Sequence, residues 1–311
     1  MPSASASCRD RGTLYLATLT SDDSVIVAPR GQARLQVARL ALLALALAAL
    51  SCASTRNFTD PAGPRYDGRF SHSTDGNAAP APTAPLLVVT FNIEHAREID
   101  RALGVLRGNA ALRNPDLLLL QEMDGPGVQR IARELRLNYV YFPSAVHPRS
   151  RREFGTAILS PWFLEDARKI VLPYPSLGTG LRRSVAVALM RRADLRVQAY
   201  SVHLPAPGSI NIDQRKEQVR IILEDAAKAA DPVVIAGDFN RRVVGRWFGD
   251  SGYLWLTDRL PGTVRGLGRL WSFDHVFVRG LRPTDGGPTA GVVNPAGSSD
   301  HRAVWARVEP R

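Results

Sequence analysis

Polar side chains able to bind metal or move protons follow apolar runs at several places in the chain. In chain order they are Asn92 and Glu94, Glu122, His203, Asp238 and Asn240, Asp274 and His275, and Ser299, Asp300 and His301. Carboxylate and amide oxygens are the ligands that Mg²⁺, Mn²⁺ and Ca²⁺ prefer, and imidazoles serve as general acids and bases. The pattern therefore indicates hydrolytic chemistry supported by a hard divalent cation.

Thiol chemistry is excluded from the folded part of the chain. The two cysteines, Cys8 and Cys52, both precede the predicted domain. That domain therefore contains no disulfide, no thiolate metal site and no cysteine nucleophile.

Each polar cluster, taken alone, also has an ordinary structural explanation. Glu122 could be a solvated strand end, and His203 could be a hydrogen-bonded core histidine. The sequence GDFN at 237–240 could be a turn, and Asp300 with His301 could be a helix cap or a surface pair. Only the order and context of all the clusters together favour a catalytic site.

The elements that must position these groups are mostly buried strands. Strands are predicted at 86–93, 116–122, 156–160, 184–190, 195–204, 232–240, 273–278 and 301–308, and helices at 99–112, 128–137 and 214–229. Helices that fall between strands predict an α/β domain with substantial sheet. Sites in such domains collect where strand ends meet loops, so we expect the polar clusters to meet there.

Seven strings resemble the endonuclease/exonuclease/phosphatase superfamily. They are TFNI at 90–93, LQE at 120–122, GTAILS at 155–160, VHLP at 202–205, GDFN at 237–240, FDHVFV at 273–278 and SSDH at 298–301. The resemblance covers about residues 85–308. It implies a four-layer sandwich of α/β (α+β) class, in which two packed mixed β-sheets are flanked by helices.

The resemblance also implies a metal site. Glu122 matches the family's principal metal-binding glutamate, and Asn92 matches the asparagine that supports the metal or the nucleophile. Asp300 resembles a further metal-side carboxylate, and Glu94 stands where some relatives carry a second metal-binding acid. The implied cofactor is Mg²⁺, with Mn²⁺ or Ca²⁺ as alternatives.

Catalytic roles are implied for five other residues. Asp238 matches the aspartate that orients or deprotonates the attacking water, and Asn240 matches the amide that holds the phosphate. His301 matches the histidine that faces the scissile phosphate, and Asp274 resembles the acid that fixes its tautomer. His203 matches a second histidine of the deoxyribonuclease and sphingomyelinase branches.

Phosphate contact by Arg183 is also implied, although an exposed arginine is unremarkable in so basic a chain. The formal net charge is +11, and only three of the 40 basic residues are lysines. This arginine excess has two open explanations, a compositional bias and attraction to polyanions such as nucleic acid or an anionic membrane.

The predicted substrate is a phosphodiester, either nucleic acid or another phosphate ester. Arginines and aromatics are mixed between Arg241 and Trp271, a composition that suits nucleic-acid backbones and stacked bases or an anionic membrane interface. Core packing is the alternative explanation for Trp255 and Trp271. Phospholipids and inositol or sugar phosphates are the alternative substrates. The non-enzymatic alternative is a surface lipoprotein that uses the fold for binding, and no obligate protein partner is indicated.

Residues 1–53 are predicted to be an N-terminal extension and signal peptide. Basic residues Arg30, Arg34 and Arg39 precede an apolar run from Leu40 to Leu50, which is too short to span a membrane. Leu50-Ser51-Cys52 resembles a lipoprotein cleavage box, so lipidation of Cys52 and simple cleavage near Ala53 both stay open. Residues 54–84 are predicted to be a disordered linker, and residues 85–311 the catalytic domain.

Export therefore yields the first prediction. We expect the protein expressed in its own host to be periplasmic, lipid-anchored or secreted, with Cys52 or a nearby residue at its mature N-terminus. Mass spectrometry of the purified product measures this directly. A cytoplasmic product that still carries residues 40–50 would contradict it.

Overall fold

Two β-sheets packed face to face form the centre of the molecule. The structure is a computed structural model that describes residues 55–71, 83–266 and 268–311. The strands are β1 (Arg56–Asn57), β2 (Tyr66–Gly68), β3 (Leu86–Asn92), β4 (Leu117–Met123), β5 (Asn138–Val146), β6 (Glu153–Ser160), β7 (Phe163–Val171), β8 (Ser184–Arg192), β9 (Leu195–His203), β10 (Val233–Asp238), β11 (Leu254–Trp255), β12 (Val264–Gly266), β13 (Arg269–Trp271), β14 (Asp274–Arg279), β15 (Leu281–Pro283), β16 (Ala290–Val293) and β17 (Ala303–Pro310). The helices are α1 (Ile99–Gly108), α2 (Gly125–Leu135), α3 (Ile212–Ala226) and α4 (Val244–Asp250), with a 3₁₀ turn at Glu94–Ala96.

Both large sheets mix parallel and antiparallel pairs. The first has the order β1-β5-β6-β4-β3-β17-β15, with β2 added to β5 and β16 added to β17. The second has the order β11-β14-β10-β9-β8-β7. The hairpin β12–β13 is a separate two-stranded sheet, and its Val264 forms an antiparallel bridge with His301. In each sheet the central pair is parallel, β3 with β4 and β9 with β10.

Alternating side chains of the central strands enter different hydrophobic layers. In β3, Leu86 and Val88 pack between the two sheets, whereas Val89 and Phe91 pack against α1 and α2. Strand β10 likewise divides its side chains between the inter-sheet layer and a third layer under α3 and α4. Strands covered on both faces read as continuous apolar runs. The predicted four-layer sandwich is confirmed.

The predicted linker at 54–84 is wrong for residues 55–71. Strand β1 pairs with the end of β5 at Arg56↔Val146, and β2 pairs with its middle at Tyr66↔Tyr141. Backbone pairing with a sheet edge needs no hydrophobic periodicity, so two short strands in a Pro- and Gly-rich segment left no pattern to detect. Residues Ser54–Arg311 form one unit, which therefore begins before the predicted boundary at 85.

The predicted signal peptide, the lipoprotein box at Cys52 and residues 72–82 of the predicted linker lie outside the described residues. Within the described part of the chain, no helix combines the length and apolarity needed to cross a membrane.

Strand register brings the predicted site residues to one edge of the sandwich. His203 and Asp238 end the parallel strands β9 and β10 and stand opposite each other. Strand β14 runs antiparallel to β10, so its first residue, Asp274, pairs with Asp238. In the other sheet, Asn92 ends β3 beside the end of β4. Parallel strands thus present their carboxyl ends together, as expected for a site in an α/β protein.

Candidate active site

The Asp238 carboxylate lies at the centre of the cluster and is almost fully buried. Its Oδ2 accepts hydrogen bonds from Nδ2 of Asn92 at 3.2 Å and from Nδ2 of Asn240 at 2.9 Å. The Nε2 atoms of His203 and His301 lie 3.5 Å and 3.7 Å from the same oxygen. Four of the predicted site residues, drawn from both sheets, therefore surround one carboxylate oxygen.

Gly237 is required for this arrangement. Its φ is +150°, and an added Cβ would lie 1.9 Å from the Val202 carbonyl oxygen on the neighbouring strand. Only glycine allows β10 to approach β9 this closely. The backbone then turns through Asn240, whose φ is +56° and whose N–H donates to Asp238 Oδ1 at 2.8 Å.

Glu122 reaches the site through an irregularity of β4. The pairing with β6 shifts register between Leu120 and Met123, and Glu122 adopts a φ of +58°. Its Oε1 accepts from Nδ2 of Asn92 at 3.3 Å, and its Oε2 accepts from the His95 backbone N–H at 3.1 Å. Bulges of this kind re-aim side chains next to active sites.

His301 is held by Asp274. Its Nδ1 lies 2.9 Å and 3.1 Å from the two Asp274 oxygens, while Nε2 faces Asp238. Burial opposes the charge on the ring, but the carboxylates of Asp274 and Asp238 outweigh it and raise the pKa of His301. Burial raises the pKa of Asp238 as well, while the charge of His301 opposes that rise. The neighbouring carboxylates thus favour the charged form of the His301 ring.

Arg183 is a buried cation beside His203. Its guanidinium lies over the Phe154 ring at 4.7 Å, and Nη1 is 3.5 Å from His203 Nδ1. Arg183 Nε is buried and has no hydrogen-bond partner among the described residues. Burial first, and then the nearby charges of Arg183 and His301, hold the pKa of His203 well below its usual value. A neutral imidazole therefore stands next to an arginine that is available to an anion.

Two further residues reach the site and were not predicted. His95 Nε2 lies 3.4 Å from Glu122 Oε2, and the His95 ring packs at a tilt against that of His147, with ring centroids 4.5 Å apart. The turn that carries His95 has left-handed backbone at Glu94, His95 and Ala96. A left-handed run of non-glycine residues is uncommon, and nothing in the sequence marks it. The one available signal for His95 was its position three residues after Asn92.

Glu94 and Asp300, predicted on the metal side, lie at the rim instead. The Glu94 carboxylate pairs with Arg97 Nη1 at 2.8 Å, and the solvent-exposed Asp300 has a 3.5 Å contact from the Ser299 hydroxyl. Within the described residues, neither carboxylate has a hydrogen bond or ion pair with Glu122. Metal binding by these two residues stays a prediction.

The oxygen donors of the site fit a hard divalent cation. Ligand atoms of Asp238, Asp274 and His301 all lie within 4.8 Å of one another, a spacing that can hold an ion. Asp274, however, is already paired with His301. The Glu122 and Asp238 carboxylates both accept hydrogen bonds from Asn92 Nδ2, at 3.3 Å and 3.2 Å. Asp238 is enclosed by amides and imidazoles, so Glu122, with the Asn92 amide beside it, is the donor set that best matches Mg²⁺ or Mn²⁺ chemistry.

A groove of about 540 Å³ lies beside the site, next to Asn240 and Asp274 in sequence. Its lining is Ile212, Arg241, Arg242, Val243, Gly262, Arg269, Leu270, Trp271, Ser272 and Phe273. Arg269 lies over the Trp271 ring at 3.5 Å. Trp255 is not part of this lining and packs instead on His275, with ring centroids 5.1 Å apart. The core-packing explanation thus holds for Trp255 but not for Trp271.

Comparisons with known proteins agree with this fold. The model of the Endonuclease/Exonuclease/phosphatase family matches residues 89–301. Among solved structures, an endonuclease/exonuclease/phosphatase from Beutenbergia cavernae DSM 12333 is 22% identical, with a TM-score of 0.58 over 73% of this chain and 72% of that one. One from Bacteroides vulgatus is 13% identical, with a TM-score of 0.59 over 73% and 100%. D. rerio TDP2, complexed with single strand DNA product, is 16% identical, with a TM-score of 0.54 over 73% and 99%. At these identities the structures show the shared fold, and no curated protein matches in sequence.

Proposed function

The chain belongs to the endonuclease/exonuclease/phosphatase family, whose members generally hydrolyse phosphoester bonds, and we propose that it is a divalent-metal-dependent phosphodiesterase acting on nucleic acid. The convergence of Asn92, Asn240, His203 and His301 on the Asp238 carboxylate carries this proposal. A buried base surrounded by amides and imidazoles suits water-mediated attack on a phosphorus centre. No covalent enzyme intermediate is required.

Asp238 orients the attacking water and takes its proton. The amides of Asn92 and Asn240 fix the orientation of the carboxylate. His301, held by Asp274, sits 3.7 Å from Asp238 and presents positive charge to the phosphoryl oxygens. Fixed charge of this kind stabilises the transition state without reorganisation.

Glu122, supported by Asn92, would hold the cation, for which Mg²⁺ is the first candidate. When bound, a divalent ion would neutralise the charge that develops on the phosphoryl oxygens. His95 supports this carboxylate, since both its backbone N–H and its ring face Glu122 Oε2. Partners of this kind orient a ligand and tune its affinity.

Arg183 binds the substrate phosphate in this proposal, whereas both Nδ2 hydrogens of Asn240, the other predicted phosphate ligand, are donated to the Leu204 carbonyl and the Asp238 carboxylate. The Arg183 guanidinium is buried against Phe154 and, among the described residues, forms no ion pair with a carboxylate. Burying such a charge is costly unless an anion completes it. His203 remains neutral between Arg183 and Asp238, so it can donate a hydrogen bond to the phosphate ester.

Two arginine clusters flank the reaction centre and favour an extended anionic substrate. On one side, the turn between β5 and β6 exposes Arg149 and Arg151, next to Arg152, which pairs with Asp124 and also contacts the His95 carbonyl. On the other side, Arg241 and Arg269 line the groove. A substrate with one phosphate needs only one such cluster, whereas a polynucleotide reaches both. The single strand DNA product bound to D. rerio TDP2 is consistent with this choice.

Salt dependence tests the substrate proposal. We expect bis-p-nitrophenyl phosphate, DNA or RNA to be hydrolysed faster than phosphomonoesters. The Michaelis constant for polynucleotide should rise steeply with salt, because neutralised phosphates release counterions. Arg241→Gln should weaken binding and reduce the salt slope by about one, whereas Arg282→Gln, at the distant β15, should change neither. Kinetics at two salt concentrations measure both effects.

Two outcomes would contradict the nucleic-acid assignment. A Michaelis constant that does not change with salt would indicate that the arginines reflect a compositional bias on a solvated surface. Robust cleavage of only a phosphomonoester, such as an inositol phosphate, would refute the phosphodiester hypothesis. The description of the fold and of the site geometry would be unaffected.

Phospholipid is the second candidate substrate, on one specific observation. Three exposed aliphatic side chains, Ile212, Val243 and Leu270, surround the groove together with arginines. Exposed apolar groups mixed with arginine suit a membrane interface. Sphingomyelin in the same substrate panel decides this alternative. Export to a periplasmic, lipid-anchored or secreted location remains part of the proposal, with lipidation of Cys52 and simple cleavage near Ala53 both open.

A further inference from the structure

Arg215 is a buried cation on α3 that points away from solvent and toward the loops of the active site. The helix begins with a reciprocal capping box between Asn211 and Gln214, which fixes the first turn that carries Arg215. Its side chain is 1% exposed. Within the described residues, no carboxylate lies within ion-pair distance of its guanidinium, so its hydrogen bonds go to the backbone.

The guanidinium joins the two loops that follow the parallel strands β9 and β10. Nη1 donates to the Phe239 carbonyl at 2.9 Å, and Nη2 donates to the Pro205 carbonyl at 2.6 Å and the Ala206 carbonyl at 3.3 Å. Phe239 lies between Asp238 and Asn240, and Pro205 follows His203 by two residues. One side chain therefore holds the backbone beside three of the site residues.

The same two loops are also linked to each other on the side of the site. The Leu204 N–H donates to the Asp238 carbonyl at 2.9 Å, and Asn240 Nδ2 donates to the Leu204 carbonyl at 3.0 Å. These bonds hold the two loops together only on the side that faces the site. Arg215 adds a contact from behind, and its planar fork can reach carbonyls of both loops at once, which a lysine cannot do.

Burying a guanidinium without a carboxylate partner destabilises the fold, because the charge loses its hydrating water and gains only hydrogen bonds to neutral carbonyls. Burial lowers the pKa of Arg215 to about 10, which still leaves it charged near neutral pH. An apolar side chain of similar length would avoid that cost, so stability alone does not account for the residue.

We propose that Arg215 is a positioning residue for the phosphoester hydrolysis proposed above: it sets the distance between the His203 loop and the Asp238–Asn240 loop. This inference rests on the proposed function. A displacement of about 1 Å of the catalytic groups costs on the order of 100-fold in rate. Arg215→Met and Arg215→Lys should therefore lower kcat by about 10- to 100-fold, with a much smaller change in KM.

Two readouts separate positioning from general support of the fold. Amide hydrogen exchange should become faster in residues 203–207 and 238–241 of both variants but stay unchanged in β4, which belongs to the other sheet. Titration calorimetry with Mn²⁺ should give an unchanged affinity, because Glu122 and Asn92 also belong to that sheet. Arg220→Met, on the exposed face of the same helix, is the matched control and should alter none of these quantities.

Three results decide the matter. Loss of kcat with local exchange and unchanged Mn²⁺ affinity supports positioning. A kcat within twofold of wild type in both variants, or Mn²⁺ affinity that falls together with kcat, overturns it. If wild-type protein hydrolyses no phosphodiester, the proposed function fails by itself, and unchanged exchange at 203–207 and 238–241 would then refute the loop-holding role separately.

Discussion

Replacing Asp238 by alanine should lower turnover by about 10²–10⁴-fold, the range expected for loss of a positioned general base. The carboxylate is the common neighbour of two amides and two imidazoles. Its removal takes away the acceptor for the water proton. It also frees Asn92 and Asn240 from the contact that orients them, so the loss should appear in kcat rather than only in KM.

His301→Ala should have an effect of the same order. His301 connects the site to Asp274, which is fully buried at the first residue of β14. Without the imidazole, that carboxylate loses its partner and the phosphoryl oxygens lose a nearby positive charge. Because the two residues act as one unit, the double variant should be little worse than either single variant.

Single-turnover kinetics with bis-p-nitrophenyl phosphate, at saturating metal, measures these losses. Circular dichroism and thermal unfolding check that the fold persists. Asp194→Ala, an exposed aspartate in the turn between β8 and β9 at the opposite end of the same sheet, is the control and should keep full activity. More than half of wild-type turnover in either site variant would refute the assigned role.

The sequence predicted the residues that end regular strands. Unbroken apolar runs end or begin at four of these residues, Asn92, His203, Asp238 and Asp274. Such runs are easy to identify as strands because both faces of the strand are buried. Once two parallel pairs are assumed, the polar ends must meet at one edge. The convergence on Asp238 thus follows from a few buried strands and their register.

The residues that sequence reasoning missed depend on irregular backbone. His95 reaches Glu122 only because the preceding turn is left-handed. His147 enters the site because β5, absent from the predicted strands, extends to Val146 and places the next residue against His95. Strands β1 and β2 were missed because edge pairing with β5 compensates for poor local propensity. Tertiary contacts of this kind produce no hydrophobic periodicity in the sequence.

Exchange of Glu122 for glutamine should weaken the metal dependence specifically. The amide keeps the shape of the side chain, and its one oxygen can still accept a hydrogen bond from either the Asn92 amide or the His95 N–H, but it lacks the charge that hard cations require. Loss of even a residue that supports a metal ligand commonly costs about 10- to 100-fold in affinity. We therefore expect Mn²⁺ affinity to fall by at least about tenfold, with turnover partly restored at higher Mg²⁺ or Mn²⁺.

The position of Glu122 explains why the effect should be confined to metal. Its side chain is partly exposed, whereas Asp238 is enclosed. Its backbone already occupies the bulge of β4 with a φ of +58°, a geometry that glutamine can adopt equally well. The variant should therefore fold normally and keep its KM for substrate when metal is saturating.

Calorimetric titration with Mn²⁺ and activity titrations with Mg²⁺ measure the effect independently of each other. Glu134→Gln, on the outer helix α2 where the residue pairs with Arg107, is the control and should bind metal as wild type does. Glu94→Gln, tested alongside, decides whether the rim carboxylate paired with Arg97 contributes a second metal acid. If Glu122→Gln and wild type give superimposable metal titrations, Glu122 supports the turn around His95 and another group binds the cation, with the nearby Asp238, Asp274 and His301 cluster as the remaining place for it.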